Sequence, residues 1–306
     1  MTELLLALWP LFALIVGGYA LRRWDFPGEA FWPAAERLNY YILFPALLFS
    51  SLARAPLDNP ALPRLALAVL LGLGIGWIAL LLCKRLRGWP AGRFGALTQG
   101  LLRFNTYLGL AAVASLFGPP GLTLAALMLA LMVPAVNLMS VWALTAERGI
   151  GPRALLLPIL KNPLILACAA GALANLSGLG LPGGSDRLLG LLAAASLPLG
   201  LLCVGAALRP EQLHGERWSL GLNCLLRLLG MPLLAWGVAR GLQLPVLESN
   251  LLILFFALPT APTAYVLTRQ LGGDSQLMAG LITLQTLLAG FSLMLVLSLL
   301  MTLPGA

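Results

Sequence analysis

The stretch Ala257-Leu258-Pro259-Thr260-Ala261-Pro262-Thr263 decides how this chain folds. It lies inside an apolar run, residues 249–268, of the length that crosses a hydrocarbon layer, which takes about 20 residues. Two prolines three positions apart interrupt that run. Each removes a backbone donor and clashes with the preceding turn, so the run is either sharply kinked or fully broken. Non-helical backbone at membrane depth is tolerated only where it is buried in protein or lines a cavity. Secondary transporters place such broken helices at the substrate site, near the midplane.

Working outward from this break, nine more apolar segments are evident, at 3–21, 35–53, 61–83, 94–117, 121–146, 162–178, 186–208, 217–240 and 275–302. Turn signals separate them, among them Asp25-Phe26-Pro27-Gly28, Asp58-Asn59-Pro60, Gly118-Pro119-Pro120-Gly121, Pro182-Gly183-Gly184 and Gly272-Gly273-Asp274. The ten-residue alternation of a membrane β-barrel is absent. The expected class is an all-α membrane protein with ten transmembrane helices.

Composition agrees. Of 306 residues, 60% are hydrophobic and 10% charged, against about 25% charged in soluble proteins. Mean hydropathy is +0.93. Soluble enzymes, disordered regulators and disulfide-stapled secreted domains are therefore excluded as classes. The net charge of +8 follows from topology. Loops on one side carry Arg22, Arg23, Arg37, Lys84, Arg85, Arg87, Arg93, Arg148, Arg153, Lys161, Arg209, Arg217 and Arg269, whereas the other side carries Arg54, Arg64, Arg187 and Arg240. Positive charge stays in the cytoplasm, which predicts a multi-pass protein of the inner (plasma) membrane with both termini outside and no nucleic-acid partner. The first span begins after Glu3, lacks a small-residue cleavage site before Arg22, and is expected to be retained. Cys83, Cys168, Cys203 and Cys224 lie within or at the end of spans without metal-ligand spacing and are expected as small core hydrophobes. No metal or cofactor is expected.

Ten spans divide into two halves of five, residues 1–153 and 154–306, and an odd number per half inverts the second half. Offsets near 154 support this: Gly118 with Gly272, Asn105 with Pro259, and Pro45 with Pro198. Inverted repeats are a building plan of secondary transporters. Under that plan Arg103-Phe104-Asn105-Thr106-Tyr107-Leu108-Gly109, in the fourth span, answers to the break in the ninth.

Every acidic residue, Glu36 among them, is placed in a loop or at a span end, and the histidine, His214, in a loop. Two arginines lie deeper. Arg103 follows Arg93 by ten residues and Arg227 follows Arg217 by ten, a rise of about 15 Å. A central arginine costs roughly 2.5–3.5 kcal/mol on insertion scales. Snorkelling, or hydrogen bonds to carbonyls freed by a broken helix, is one compensation; a bound anion is the other. Arg103 sits two residues from the suspected break and is the preferred anion contact, its guanidinium fork matching a carboxylate. Without an evident buried acid or histidine to carry protons, carriage driven by the anion gradient and membrane potential is the simplest coupling. Sodium on carbonyls and on Asn, Gln and Thr oxygens is the alternative.

The chain resembles the auxin efflux carrier family of membrane transporters, in its bacterial branch, over nearly its whole length. The resemblance rests on Leu38-Asn39-Tyr40 leading to Phe44-Pro45-Ala46-Leu47-Leu48-Phe49, on Asn105-Thr106 with Gly109, on Pro134-Ala135-Val136-Asn137, and on Lys161-Asn162-Pro163. Further matches are Leu197-Pro198-Leu199-Gly200 with Gly205-Ala206, and Ala257-Leu258-Pro259 through Gln270-Leu271-Gly272-Gly273-Asp274. It implies a ten-helix inverted-repeat fold shared with bile-acid symporters and sodium–proton antiporters. Helices 1, 2, 6 and 7 then form a scaffold through which relatives dimerise, and helices 3–5 and 8–10 a mobile core in which helices 4 and 9 cross. It also implies elevator-like transport of small organic anions: carboxylates, dicarboxylates or auxin-like acids. The proline common after the fourth-helix break is replaced here by Ala111 or Ala112.

Carried over by position, Asn105 and Thr106 present polar groups to the carboxylate, and Pro259, Thr260 and Pro262 open the ninth helix. Asn137, Gln285 and Thr286 either line the core near the substrate or hydrogen-bond between helices. Asn39 and Tyr40 face the substrate path in the scaffold. Arg227 completes the candidate substrate-binding set. The expected function is secondary active or facilitative carriage of a small organic anion in the direction of efflux. A sodium-coupled symporter and a non-transporting anion sensor are the alternatives. An intramembrane enzyme is disfavoured, because no nucleophile–base pair falls within the spans.

Overall fold

The computed structural model describes residues 2–55, 59–147, 161–178, 181, 183–214 and 216–302. Asp58, Arg148, Arg153, Pro182 and the expected boundary between halves at 153/154 lie outside them. Among the described residues there are helices and no strands. Six stretches are long and apolar enough to cross a membrane: Thr2–Arg23, Leu62–Arg87, Ala91–Thr145, Ser185–Ala206, Arg217–Gly241 and Ser275–Leu299. Pro163–Ser177 and Val246–Ala257 are shorter apolar helices. The protein is thus an all-α, multi-pass membrane protein.

In chain order the elements are α1 (Thr2–Arg23), α2 (Phe31–Leu38), α3 (Phe44–Ala53), α4 (Leu62–Arg87), α5 (Ala91–Leu102) and α6 (Thr106–Thr145). Then follow α7 (Pro163–Ser177), α8 (Ser185–Ala206), α9 (Arg217–Leu225), α10 (Met231–Gly241), α11 (Val246–Ala257), α12 (Thr263–Gln270) and α13 (Ser275–Thr302). Single π-helical turns, Asn39–Leu43 and Leu226–Gly230, join α2 to α3 and α9 to α10. Each precedes a helix whose second residue is proline, Pro45 or Pro232. Proline gives no i→i−4 bond and crowds the carbonyl one turn earlier, so the ladder widens there.

The segment α6 bends inside its span at Gly118, where φ is 59° and ψ −153°. Only glycine adopts that conformation readily, and Pro119-Pro120 restart the helix from it. Gly272, 154 positions on and two residues past the end of α12, also has positive φ, 66°.

Two groups of helices result. In the first, α1 packs on α8 with backbone touching backbone. A Cβ on Gly18 would lie 2.0 Å from the carbonyl oxygen of Leu202, and one on Gly205 would lie 1.7 Å from that of Ile15. The helices α3 and α7 join them, with Gly171 against the carbonyl of Phe49 at 2.7 Å from a built Cβ. The second group surrounds the two interrupted segments, α5–α6 and α11–α12. At one end of α5, Arg93 pairs with Glu216 and donates to Ser219 at 2.8 Å. That contact holds the exposed Glu216 carboxyl below the usual carboxylate range.

The backbone contact between α1 and α8 makes a test. Gly205→Ala is expected to cost about 1–3 kcal/mol of stability or more through overpacking, read as a lower unfolding temperature in detergent. Gly221→Ala, with nothing within 4 Å, is expected to be neutral or slightly stabilising.

Candidate functional site: two crossed breaks and a cavity

The break in the ninth apolar run is complete. Helix α11 stops at Ala257, Leu258 is extended with φ −66° and ψ 146°, and α12 starts only after Pro262. The fourth run is broken too, without proline. Arg103 is extended, with φ −76° and ψ 147°, and Asn105 caps α6 by accepting from the N–H of Leu108 at 3.1 Å. Asparagine caps well because its short side chain takes an orphan N–H of the first turn. The alanines at 111 and 112 therefore do not prevent the crossing. The two breaks meet where the N–H of Asn105 donates to the carbonyl of Pro259 at 2.8 Å, joining the two positions that the repeat pairs.

Four helix ends meet at this crossing, and they divide by sign. The C-terminal ends of α5 and α11 carry carbonyls without intrahelical partners. Arg227, 1% exposed on the π turn between α9 and α10, answers them. Its Nε donates to Leu258 at 2.6 Å, one terminal nitrogen to Leu101 at 2.8 Å and the other to Phe255 at 3.0 Å. Its charge also sits at the negative ends of two helix dipoles. Arg227 does not line the cavity described below, and of its two sequence readings the freed-carbonyl one matches the geometry.

Gln285 and Thr260 also work behind the crossing. The Oε1 of Gln285 accepts from the N–H of Thr260 at 2.8 Å, and its Nε2 donates to Gly100 at 2.9 Å and to Asn223 at 3.0 Å. The hydroxyl of Thr260 donates to the carbonyl of Gln99 at 3.0 Å. Asn39 is likewise engaged elsewhere, donating to the carbonyl of Ser196 at 3.0 Å and accepting from its hydroxyl at 2.9 Å. These side chains are fully buried. For Gln285 the interhelical role holds, and Asn39 ties the π turn to α8 without facing the cavity, in contrast to the sequence expectation. Pro259 contributes its carbonyl to the crossing.

On the opposite side of the crossing lies a cavity of about 60 Å³, lined by Arg103, Asn105, Thr106, Asn137 and Pro262 of the expected set. Tyr40, Tyr107, Asn162 and Thr263 also line it, as do Glu36 and Cys203. Thr106 and Thr263 open α6 and α12, so both positive helix ends face this space. Arg103 is half-buried and donates to Oε1 of Gln99 at 3.1 Å. The Nδ2 of Asn105 is buried and has no hydrogen-bond partner, which costs about 1–3 kcal/mol.

Glu36 corrects the acid inventory drawn from the sequence. The helical segment begins at Phe31, four residues before the expected start, so Glu36 lies one turn inside it, half-buried against the cavity. Glu36, Cys203 and Pro262 also line a wider vestibule of about 270 Å³ that contains Arg22 and Arg209. The sequence signal was available: Trp32, Ala35 and Asn39 are buried, and the helical period of that apolar face continues N-terminal to residue 35.

A multi-pass helical protein with two crossed, interrupted helices and a cavity beside them that carries charged and amide side chains has the architecture of a membrane transporter. The family described as "Membrane transport protein" matches residues 152–297. A protein of Methanothermobacter thermautotrophicus described as "Uncharacterized transporter" is 30% identical over 289 residues, covering 92% of this chain and 93% of that protein. The chain belongs to this family, the auxin efflux carrier family of membrane transporters.

The assignment of Arg227 is testable by stability. Arg227→Ala leaves three buried carbonyls unpaired, so the variant is expected to lose about 3 kcal/mol or more. Arg227→Lys, a point donor without the fork, is expected to recover only part of that loss in the same unfolding assay.

Proposed function

We propose that this protein is a secondary carrier of small organic carboxylates, with the cavity at the helix crossing as the substrate site. The observation that carries this reading is the convergence on one small space of Arg103, the unpartnered Nδ2 of Asn105 and the N-terminal ends of α6 and α12. All four favour negative charge, and a carboxylate placed there satisfies the orphan amide. Thr106 and Asn137 supply further polar contacts on the same wall.

The ten helical segments are read as a 5+5 inverted repeat, supported by the contact between Asn105 and Pro259 and by the paired turns at Gly118 and Gly272. The group α1, α2–α3, α7 and α8 is read as a scaffold, and the remainder as a mobile core. The cavity has walls from both: Glu36, Tyr40 and Cys203 from the first, and Arg103, Asn105 and Thr263 from the second. Sliding of one group past the other would then carry the site across the membrane, the elevator motion. Dimerisation through the scaffold, placement in the inner membrane with both termini outside, and efflux as the direction belong to the same reading. A substrate with net negative charge would gain about 2.3 kcal/mol per charge and 100 mV on leaving an inside-negative cell. The vestibule with Arg22 and Arg209 lies on the side that the basic loops make cytoplasmic.

Arg103→Ala is expected to abolish carboxylate-dependent thermal stabilisation and proteoliposome flux while the protein remains folded. Bound ligand raises apparent stability by mass action, so a screen of mono- and dicarboxylates, amino acids and indole acids reports binding directly. Unchanged ligand shifts in the variant would remove Arg103 from the site.

A further inference from the structure

The cavity holds charges of both signs, and they are not paired with each other. Arg103 and Glu36 line the same space, yet among the described residues no ion pair joins them. Among the described residues the guanidinium of Arg103 hydrogen-bonds to Gln99 alone. The vestibule arginines are also held away from Glu36, on backbone: Arg22 donates to the carbonyl of Ala206, and Arg209 to that carbonyl at 3.4 Å and to Leu208 at 3.1 Å.

We propose that the substrate is a zwitterion, a small carboxylate bearing an ammonium group of the α-amino acid type, with Glu36 as the ammonium contact. This rests on the reading of the same cavity as a carboxylate site and adds its second pole. The carboxylate end meets Arg103, the Asn105 amide and the two helix N-termini. The ammonium end meets Glu36 at the junction of cavity and vestibule, which Tyr40 and Tyr107 also border on the cavity side.

The Glu36 carboxyl favours this over a plain anion. Arg103 and the two helix N-termini already answer a carboxylate, and a plain anion leaves Glu36 in the same space without a cation partner. An ammonium group supplies that partner. An unpaired charge at membrane depth is costly. The other way to relieve it is a protonated Glu36 with a monoanion, and its signature is distinct.

The test compares matched ligands on the full-length protein in detergent: glycine with acetate, alanine with propionate, leucine with isocaproate, and aspartate with succinate, by thermal shift and calorimetry at pH 7. The wild type is expected to bind at least one ammonium-bearing ligand ten-fold or more tightly than its partner. In Glu36→Gln that preference is expected to fall below three-fold, while Glu36→Asp retains part of it and confirms an intact cavity. A wild-type preference for the plain carboxylates, or one unchanged in Glu36→Gln, overturns the zwitterion and leaves the carboxylate reading standing. Plain-carboxylate binding that strengthens as pH falls, and loses that dependence in Glu36→Gln, also overturns it, with Glu36 then a proton carrier. Failure of every ligand to bind overturns both.

Discussion

The structure depends on one guanidinium. Breaking two helices inside a bilayer exposes two sets of carbonyls to a medium that cannot hydrogen-bond them. Arg227 takes three of these carbonyls, from Leu101, Phe255 and Leu258. Its planar fork presents several donors in fixed directions, which a lysine ammonium does not. The negative ends of α5 and α11 in turn face the guanidinium at depth. Neither the breaks nor the buried charge is tolerable alone, and each supplies what the other lacks.

The polarity of the site follows from the same contact. Once Arg227 and the Gln285–Asn223–Gly100 bridge occupy the C-terminal side of the crossing, the N-terminal sides of α6 and α12 are left facing the cavity. The helix backbone thus builds an electropositive pocket before any charged side chain is added. Arg103 reinforces it, and Asn105 serves twice, its oxygen capping α6 and its amide nitrogen left for a ligand. Pro259 sets the break by what it lacks, an N–H, and closes the crossing by what it keeps, a carbonyl.

Local sequence carried much of this. The prolines at 259 and 262 announced the ninth break, and Gly118-Pro119-Pro120 announced a turn that the structure contains. The offset of 154 paired Asn105 with Pro259, and those residues touch. Less legible was the partner each polar side chain would choose. Gln285, Thr260 and Asn39 are polar residues within spans, as cavity residues also are. Only the relative rotation of neighbouring helices sends Gln285 to Thr260 and Asn39 to Ser196, and helical periodicity does not encode that rotation across distant segments. Glu36 was misplaced for a different reason: the expected span begins at residue 35, whereas the helix begins at Phe31 and holds Pro33 in its first turn, where a proline is tolerated.

In the proposed carrier, chemistry and motion would meet in the cavity between the two helix groups, because its walls belong to both. Thr263 stands at the head of α12 on the wall from the second helix group, so under the proposed mechanism its accessibility reports which side the site faces. The most direct test places Thr263→Cys in a chain whose four native cysteines are alanine. Membrane-impermeant thiol reagent is then applied from each face of oriented vesicles, with and without the best-binding carboxylate. The account predicts labelling from the face of Arg22 and Arg209, slowed several-fold by ligand. Labelling that is absent from both faces, or indifferent to every ligand that binds, would contradict it.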